Sequence, residues 1–160
     1  MARTECRRGF TLIELLVTLA ILALLASLAL PVAQIAVQRA QEAELRRNLR
    51  EIRDAIDAYK QAWDDGRIQH GARDSGYPAT LSVLVAGVTD ALAPKGPKLY
   101  FLRRLPRDPM ADKPALSAEQ TWLTRSHASD PDSPQPGEDV FDVFSSSSAT
   151  GLDGRPYRQW

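Results

Sequence analysis

The chain has 160 residues, with 20 basic and 20 acidic side chains and a formal net charge of zero. That length suits one domain with a short leader and one long helix. The zero balance excludes a nucleic-acid binder driven by bulk charge. Cys6 is the only cysteine, so no disulfide forms within the chain.

Residues 1–9 are short and basic, with Arg3, Arg7 and Arg8. A long apolar run follows, and from Leu15 to Gln38 it carries no charge. A helix needs about 20 apolar residues to cross a bilayer, and this run is long enough. Glu14 is the anomaly at its head, because an acid at the centre of a membrane helix costs roughly 3 kcal/mol. An ordinary secretory signal has a shorter apolar core, cut at its far end after small residues. Ala29-Leu30-Pro31 makes a poor site of that kind.

The same helix is predicted to continue to about residue 64. Residues 10–38 form its membrane half and residues 39–64 an amphipathic half. In the second half Leu45, Leu49, Ile52, Ile56, Tyr59 and Trp63 recur at steps of four and three. That stripe is expected to pack on the protein's own globular domain. Pro31 removes one backbone donor and crowds the preceding turn, so a kink or local loosening is expected there. Gly66 is placed to end the helix in a left-handed cap.

Residues 65–160 read as a small α+β domain with irregular loops. Every proline except Pro31 lies beyond residue 70. The 77–85 segment predicts a turn and a short helix capped by Thr80. Leu99-Tyr100-Phe101-Leu102 is a short strand or a loop anchor. Val140–Ser145 alternates as a strand should, and Gln120–Ser126 is its expected neighbour. Residues 130–139 form a polar loop broken by prolines.

Gly9-Phe10-Thr11-Leu12-Ile13-Glu14 resembles the class III signal of type IV pilins and of the pseudopilins of type II secretion. The resemblance implies a type IV pilin-like fold: a long amino-terminal helix packed on a small domain with a short antiparallel sheet. It implies cleavage between Gly9 and Phe10 by prepilin peptidase and N-methylation of Phe10. It also implies that Glu14 pairs with the Phe10 amine of a neighbouring subunit during self-association into a helical filament. Pro31 matches the place where the family's helix loosens on packing. The arginines flanking the span give conflicting signals. Arg39, Arg46, Arg47, Arg50 and Arg53 outnumber those before it, so the positive-inside count points against a cytoplasmic amino end. The cleavage motif implies the cytoplasmic amino end and a periplasmic carboxy-terminal domain.

The globular half narrows the resemblance to the major pseudopilin, the G class. Gly76-Tyr77-Pro78-Ala79-Thr80-Leu81 is similar to that family's Tyr-Pro-Thr segment. Tyr100-Phe101-Leu102-Arg103-Arg104-Leu105-Pro106-Arg107-Asp108-Pro109 resembles its Leu-Pro-Lys-Asp-Pro segment, and Val140-Phe141-Asp142-Val143-Phe144-Ser145 its Phe-Asp-Ile-Tyr-Ser strand. Trp160 also matches. The implied partners are prepilin peptidase, further copies of the chain, minor pseudopilins, the inner-membrane assembly platform and membrane lipid, with no nucleic acid.

There are departures. The family carries Trp-Gly-Asn after Asp-Pro, where this chain has Met110-Ala111-Asp112. The family's terminal loop binds calcium. The matching stretch here, 146–154, offers one carboxylate, Asp153, and Asp130, Asp132, Glu138 and Asp139 could supplement it from the preceding loop, which prolines restrict. Calcium takes six to eight oxygens, usually several of them charged. A solvated serine-rich turn is the favoured reading there and a calcium site the alternative.

No catalytic constellation emerges from the sequence. His70 and His127 lack metal-ligand spacing, and both read as surface residues. The run Ser145–Ser148 has no base beside it in sequence. Trp63, Trp122 and Trp160 read as core or anchor aromatics. The expected role is assembly and not catalysis. The alternatives are a type IV pilin or competence pseudopilin, and a membrane-anchored periplasmic binding domain or enzyme.

Overall fold

A computed structural model describes residues 10–69, 71, 74–111 and 115–160. The leader with Gly9, and His70, lie outside the described residues. The elements in order are α1 (Leu12–Asp64), α2 (Leu81–Ala86), a 3-10 turn at Glu119–Thr121, β1 (Trp122–Arg125), β2 (Asp142–Ser145) and a 3-10 turn at Tyr157–Gln159. A long amino-terminal helix thus precedes a small domain with a two-stranded antiparallel sheet, the α+β arrangement expected. Contacts divide the chain into two compact units, Met1–Arg39 and Ala40–Trp160.

In the first unit α1 presents apolar side chains outward. Leu12 is 79% exposed, and Ile13, Leu15, Leu16, Val17 and Leu19 are also exposed. The mean hydropathy reaches 2.6 over its most apolar window. One helix is therefore long and apolar enough to cross a membrane. Its hydroxyls bond locally: Thr18 Oγ1 donates to the Leu15 carbonyl at 2.9 Å and Ser27 Oγ to Leu24 at 2.7 Å. Each leaves no bare hydroxyl proton toward lipid. α1 keeps its helical assignment through Pro31.

In the second unit the predicted stripe is the core. Leu45, Leu49, Ile52, Ile56 and Tyr59 are buried, and Trp63 packs against them half-buried. Each buried leucine or isoleucine contributes about 2 kcal/mol by leaving water. Ala55, Ala62 and Ile68, Leu81 and Leu84 of α2, and Leu102, Trp122, Val140, Val143 and Tyr157 complete the cluster. The helix ends where Gly66 enters positive φ, at 73°. The Arg67 amide then donates to the Ala62 carbonyl and the Gly66 amide to Trp63, both at 2.9 Å. These two bonds close the last turn.

Thr80 occupies the cap position of α2 in an extended conformation but makes no capping bond. Its hydroxyl pairs with Ser82 Oγ at 2.8 Å. The Ser82 amide is taken instead by the Glu119 carboxylate at 3.2 Å. A carboxylate from 37 residues away has replaced the local cap.

Leu99–Leu102 behaves as a loop anchor. Leu99 makes one isolated bridge to Val88. The amides of Phe101 and Leu102 both donate to the Leu84 carbonyl, at 3.1 and 3.0 Å. The expected sheet forms, with Trp122 opposite Ser145 and Arg125 opposite Asp142. It is shorter than the alternating segments because their ends bond elsewhere. Thr121 joins the 3-10 turn, and the Val140 amide donates to the Pro78 carbonyl at 2.8 Å.

Candidate processing and assembly site

The head of α1 is built by two residues that bond each other reciprocally. Thr11 precedes the helix, and its hydroxyl accepts from the Glu14 amide at 3.3 Å. The Glu14 carboxylate reaches back to the Thr11 amide at 3.5 Å. This is a capping box, in which two amides that a helix start leaves open are each given an acceptor. Phe10 stands just before it, 84% exposed. Glu14 is therefore an exposed carboxylate at the head of an exposed apolar helix, one turn from Phe10.

The two carboxylates considered for calcium serve different parts of the domain. Asp139 Oδ1 accepts from Ser126 Oγ at 2.7 Å and from the His127 amide at 2.9 Å. Burial works against its ionisation, but those bonds and one from Ser75 outweigh it, and its pKa lies below the ordinary value. Asp153 Oδ1 accepts from the Arg155 amide at 3.0 Å. Its Oδ2 faces Arg155 Nε at 3.2 Å, Arg155 Nη2 at 3.0 Å and Arg46 Nη2 at 3.4 Å. The Arg155 amide first, then the guanidinium groups, hold its pKa down. None of these partners is shared with Asp139. Among the described residues no group of three or more His, Cys, Asp or Glu is arranged to hold a metal. The donor set around Asp153 does not fit calcium, since both its oxygens already face nitrogen donors.

A family model of the prokaryotic N-terminal methylation motif matches residues 6–30. The amino end carries that methylation motif. It is a prepilin peptidase substrate signal, and it supports a type IV pilin-like protein of the pilin and pseudopilin superfamily. The superfamily is structural rather than catalytic. The methylation motif and the apolar helix behind it are consistent with a single-pass inner-membrane anchor. Neither a curated protein nor a solved structure matches the chain.

Thr11 stands within the methylation motif, but its capping role was not read from the sequence. Its signal was present, since Thr11-Leu12-Ile13-Glu14 has capping-box spacing before an apolar run. Asp108 is another residue whose role the sequence did not show, and the fold brings it to the serine run. Its carboxylate accepts from Ser145 Oγ at 2.7 Å and from the Ser146 amide at 3.1 Å, and its other oxygen accepts from Met110 at 2.8 Å. An acid does stand beside Ser145, brought from 37 residues away. Asp108 is 3% exposed and Ser145 is fully buried, so the pair stitches a loop to the end of β2 and presents no nucleophile.

His127 is exposed, as expected, stacked on Tyr77 at 5.4 Å. The tryptophans are anchors. Trp122 is buried and donates its ring N–H to the Pro106 carbonyl at 2.8 Å. Trp160 packs edge-on against Tyr157 at 4.9 Å.

Proposed function

We propose that this chain is a pseudopilin subunit of a type II secretion system. Prepilin peptidase cuts between Gly9 and Phe10, and Phe10 is N-methylated. The inner-membrane assembly platform then adds the subunit to a periplasmic filament capped by minor pseudopilins, with residues 65–160 on the periplasmic side. The carrying observation is the methylation motif over residues 6–30, with the Glu14 carboxylate at the head of an exposed apolar helix. Two opposite charges attract strongly in low dielectric, and an unpaired carboxylate there is costly. Pairing Glu14 with the Phe10 amine of the next subunit would set the axial register. Leucine and alanine surfaces would supply the bulk packing.

The secretion branch rests on the three resembling segments of the globular half, and their contacts favour it. The Tyr77-Pro78 segment meets the Phe-Asp strand segment through the Val140 amide and the Pro78 carbonyl. Leu105–Pro109 meets the strands through Trp122 on Pro106 and Ser145 on Asp108. Segments that hold one another in place form a unit, which supports reading them together.

Intact-mass analysis of the protein from native membranes tests the processing. A chain starting at N-methyl-Phe10 is expected, and an uncut chain or one cut near Pro31 rejects the reading. Deleting the gene then separates the branches. Loss of secreted proteins with surface fibres intact supports the pseudopilin. Loss of fibres with secretion intact makes the chain a type IV pilin.

A further inference from the structure

Residues 149–160 fold back on themselves. The Gly151 amide donates to the Arg155 carbonyl at 2.9 Å and the Tyr157 amide to Ala149 at 3.1 Å. Asp153 sits at the tip of that turn. Three side chains on one face of α1 reach the loop. Glu42, 5% exposed, accepts from the Leu152 amide at 2.8 Å and from the Tyr157 hydroxyl at 3.0 Å. Arg46, one turn on, has Nη2 at 3.4 Å from Asp153 Oδ2 and its guanidinium carbon 4.2 Å from the centre of the Trp160 ring. Arg53, about two turns further, donates to Asp142 at 2.8 Å, to the Val143 carbonyl at 3.1 Å and to the Trp160 carbonyl at 2.9 Å.

We propose that Arg46 is the resident cation of the terminal loop. Held over Trp160, it joins Arg155 on Asp153 and latches residues 149–160 to α1 without a divalent ion. A single exposed ion pair contributes little. This one is part of a network, because Asp153 is shared with Arg155 and Arg46 also stacks on an aromatic ring. The ring in turn fixes the backbone. A Cβ at Gly151 would lie 2.5 Å from Trp160 Cζ2, so the loop passes where only glycine fits. Both Asp153 oxygens already face nitrogen donors, so the turn offers calcium no open carboxylate there. This inference concerns how the domain holds together and stands whether or not the filament reading does.

Hydrogen exchange on the full chain in dodecyl maltoside micelles tests it. Peptides covering 149–157 are expected to exchange at the same rate in excess EDTA and in excess calcium chloride. In Arg46→Ala their exchange should rise about fivefold, the scale of a stacked and shared ion pair. Peptides covering 49–56 should stay protected. Arg46→Lys should fall between, since an ammonium pairs with Asp153 but stacks less well. Slowing by calcium that EDTA reverses would overturn the proposal. So would an Arg46→Ala loop indistinguishable from wild type. If Arg46→Ala loosens the whole unit, the Asp153→Asn background decides. There the Arg46 substitution should have a smaller effect on 149–157, and an undiminished effect overturns the latch.

Discussion

The Glu14 carboxylate accepts the Thr11 amide proton at 3.5 Å while the Thr11 hydroxyl accepts the Glu14 amide proton at 3.3 Å. The first bond is at the limit of hydrogen bonding and therefore weak. An unpaired acid inside a bilayer costs roughly 3 kcal/mol. The carboxylate thus has more to gain from a passing cation than it loses by leaving Thr11.

Glutamine also completes a capping box, and this separates charge from capping. Glu14→Ala and Glu14→Gln are both expected to insert into membranes at the wild-type level. Both should reduce filament yield at least about tenfold, the ratio that a loss of 1.4 kcal/mol produces. Wild-type assembly by Glu14→Gln would show that the charge is not needed.

Acid should weaken the second unit through three aspartates. Arg67 hydrogen bonds hold the Asp90 pKa below its ordinary value, with Nε at 3.1 Å and Nη2 at 2.6 Å from Oδ2. Asp139 and Asp153 are lowered too. A carboxyl with a lower pKa in the folded state binds fewer protons there than when unfolded. Its contribution is complete above the unfolded value of about 4 and is lost as pH falls through the folded value. Thermal melts from pH 7 to pH 3 should show this decline, and Asp90→Asn should flatten part of it. An acid limb equally steep in Asp90→Asn would remove Asp90 from the account.

Replacing Asp108 with alanine leaves the buried Ser145 hydroxyl and the Ser146 and Met110 amides without that acceptor. The expected cost is about 3 kcal/mol in urea unfolding. Asp108→Asn keeps an oxygen and should recover part of it. A loss below about 0.5 kcal/mol, as at an ordinary surface position, would mean the stitch is unimportant.

Thr80 and Glu119 offer a contrast in which the obvious cap residue is the wrong one. Glu119→Ala is expected to destabilise the domain by about 1 kcal/mol, because it removes the acceptor of the Ser82 amide. Thr80→Ala should cost only a few tenths, because its hydroxyl serves only Ser82 Oγ. The reverse order in thermal melts would restore the local cap.

The difference between these cases explains what was legible in advance. Periodicity reports burial directly, so the stripe from Leu45 to Tyr59 and the alternation of Val140–Ser145 translated into core and strand. Helix α1 and the Gly66 cap followed from local chemistry alone. The methylation motif was legible because its residues are contiguous. Asp108, Glu119 and Arg67 were not, because each acts on a group 23 to 38 residues away. Nothing in the sequence around Ser145 announces the acid that folds onto it. Asp153 shows a different limit. A carboxylate in a turn has the same composition whether its oxygens face a metal or an arginine, and only the positions of Arg46 and Arg155 separate the two.

The Glu42–Tyr157 bond joins residues separated by 115 positions. During synthesis Glu42 emerges early, and the tyrosine that helps bury it comes almost a whole domain later. Until then the Leu45–Tyr59 stripe has only part of its cover. Contacts of such long sequence separation close slowly and leave apolar surface open meanwhile. A ribosome that stalls before Tyr157 therefore releases a product with an open seam along its helix.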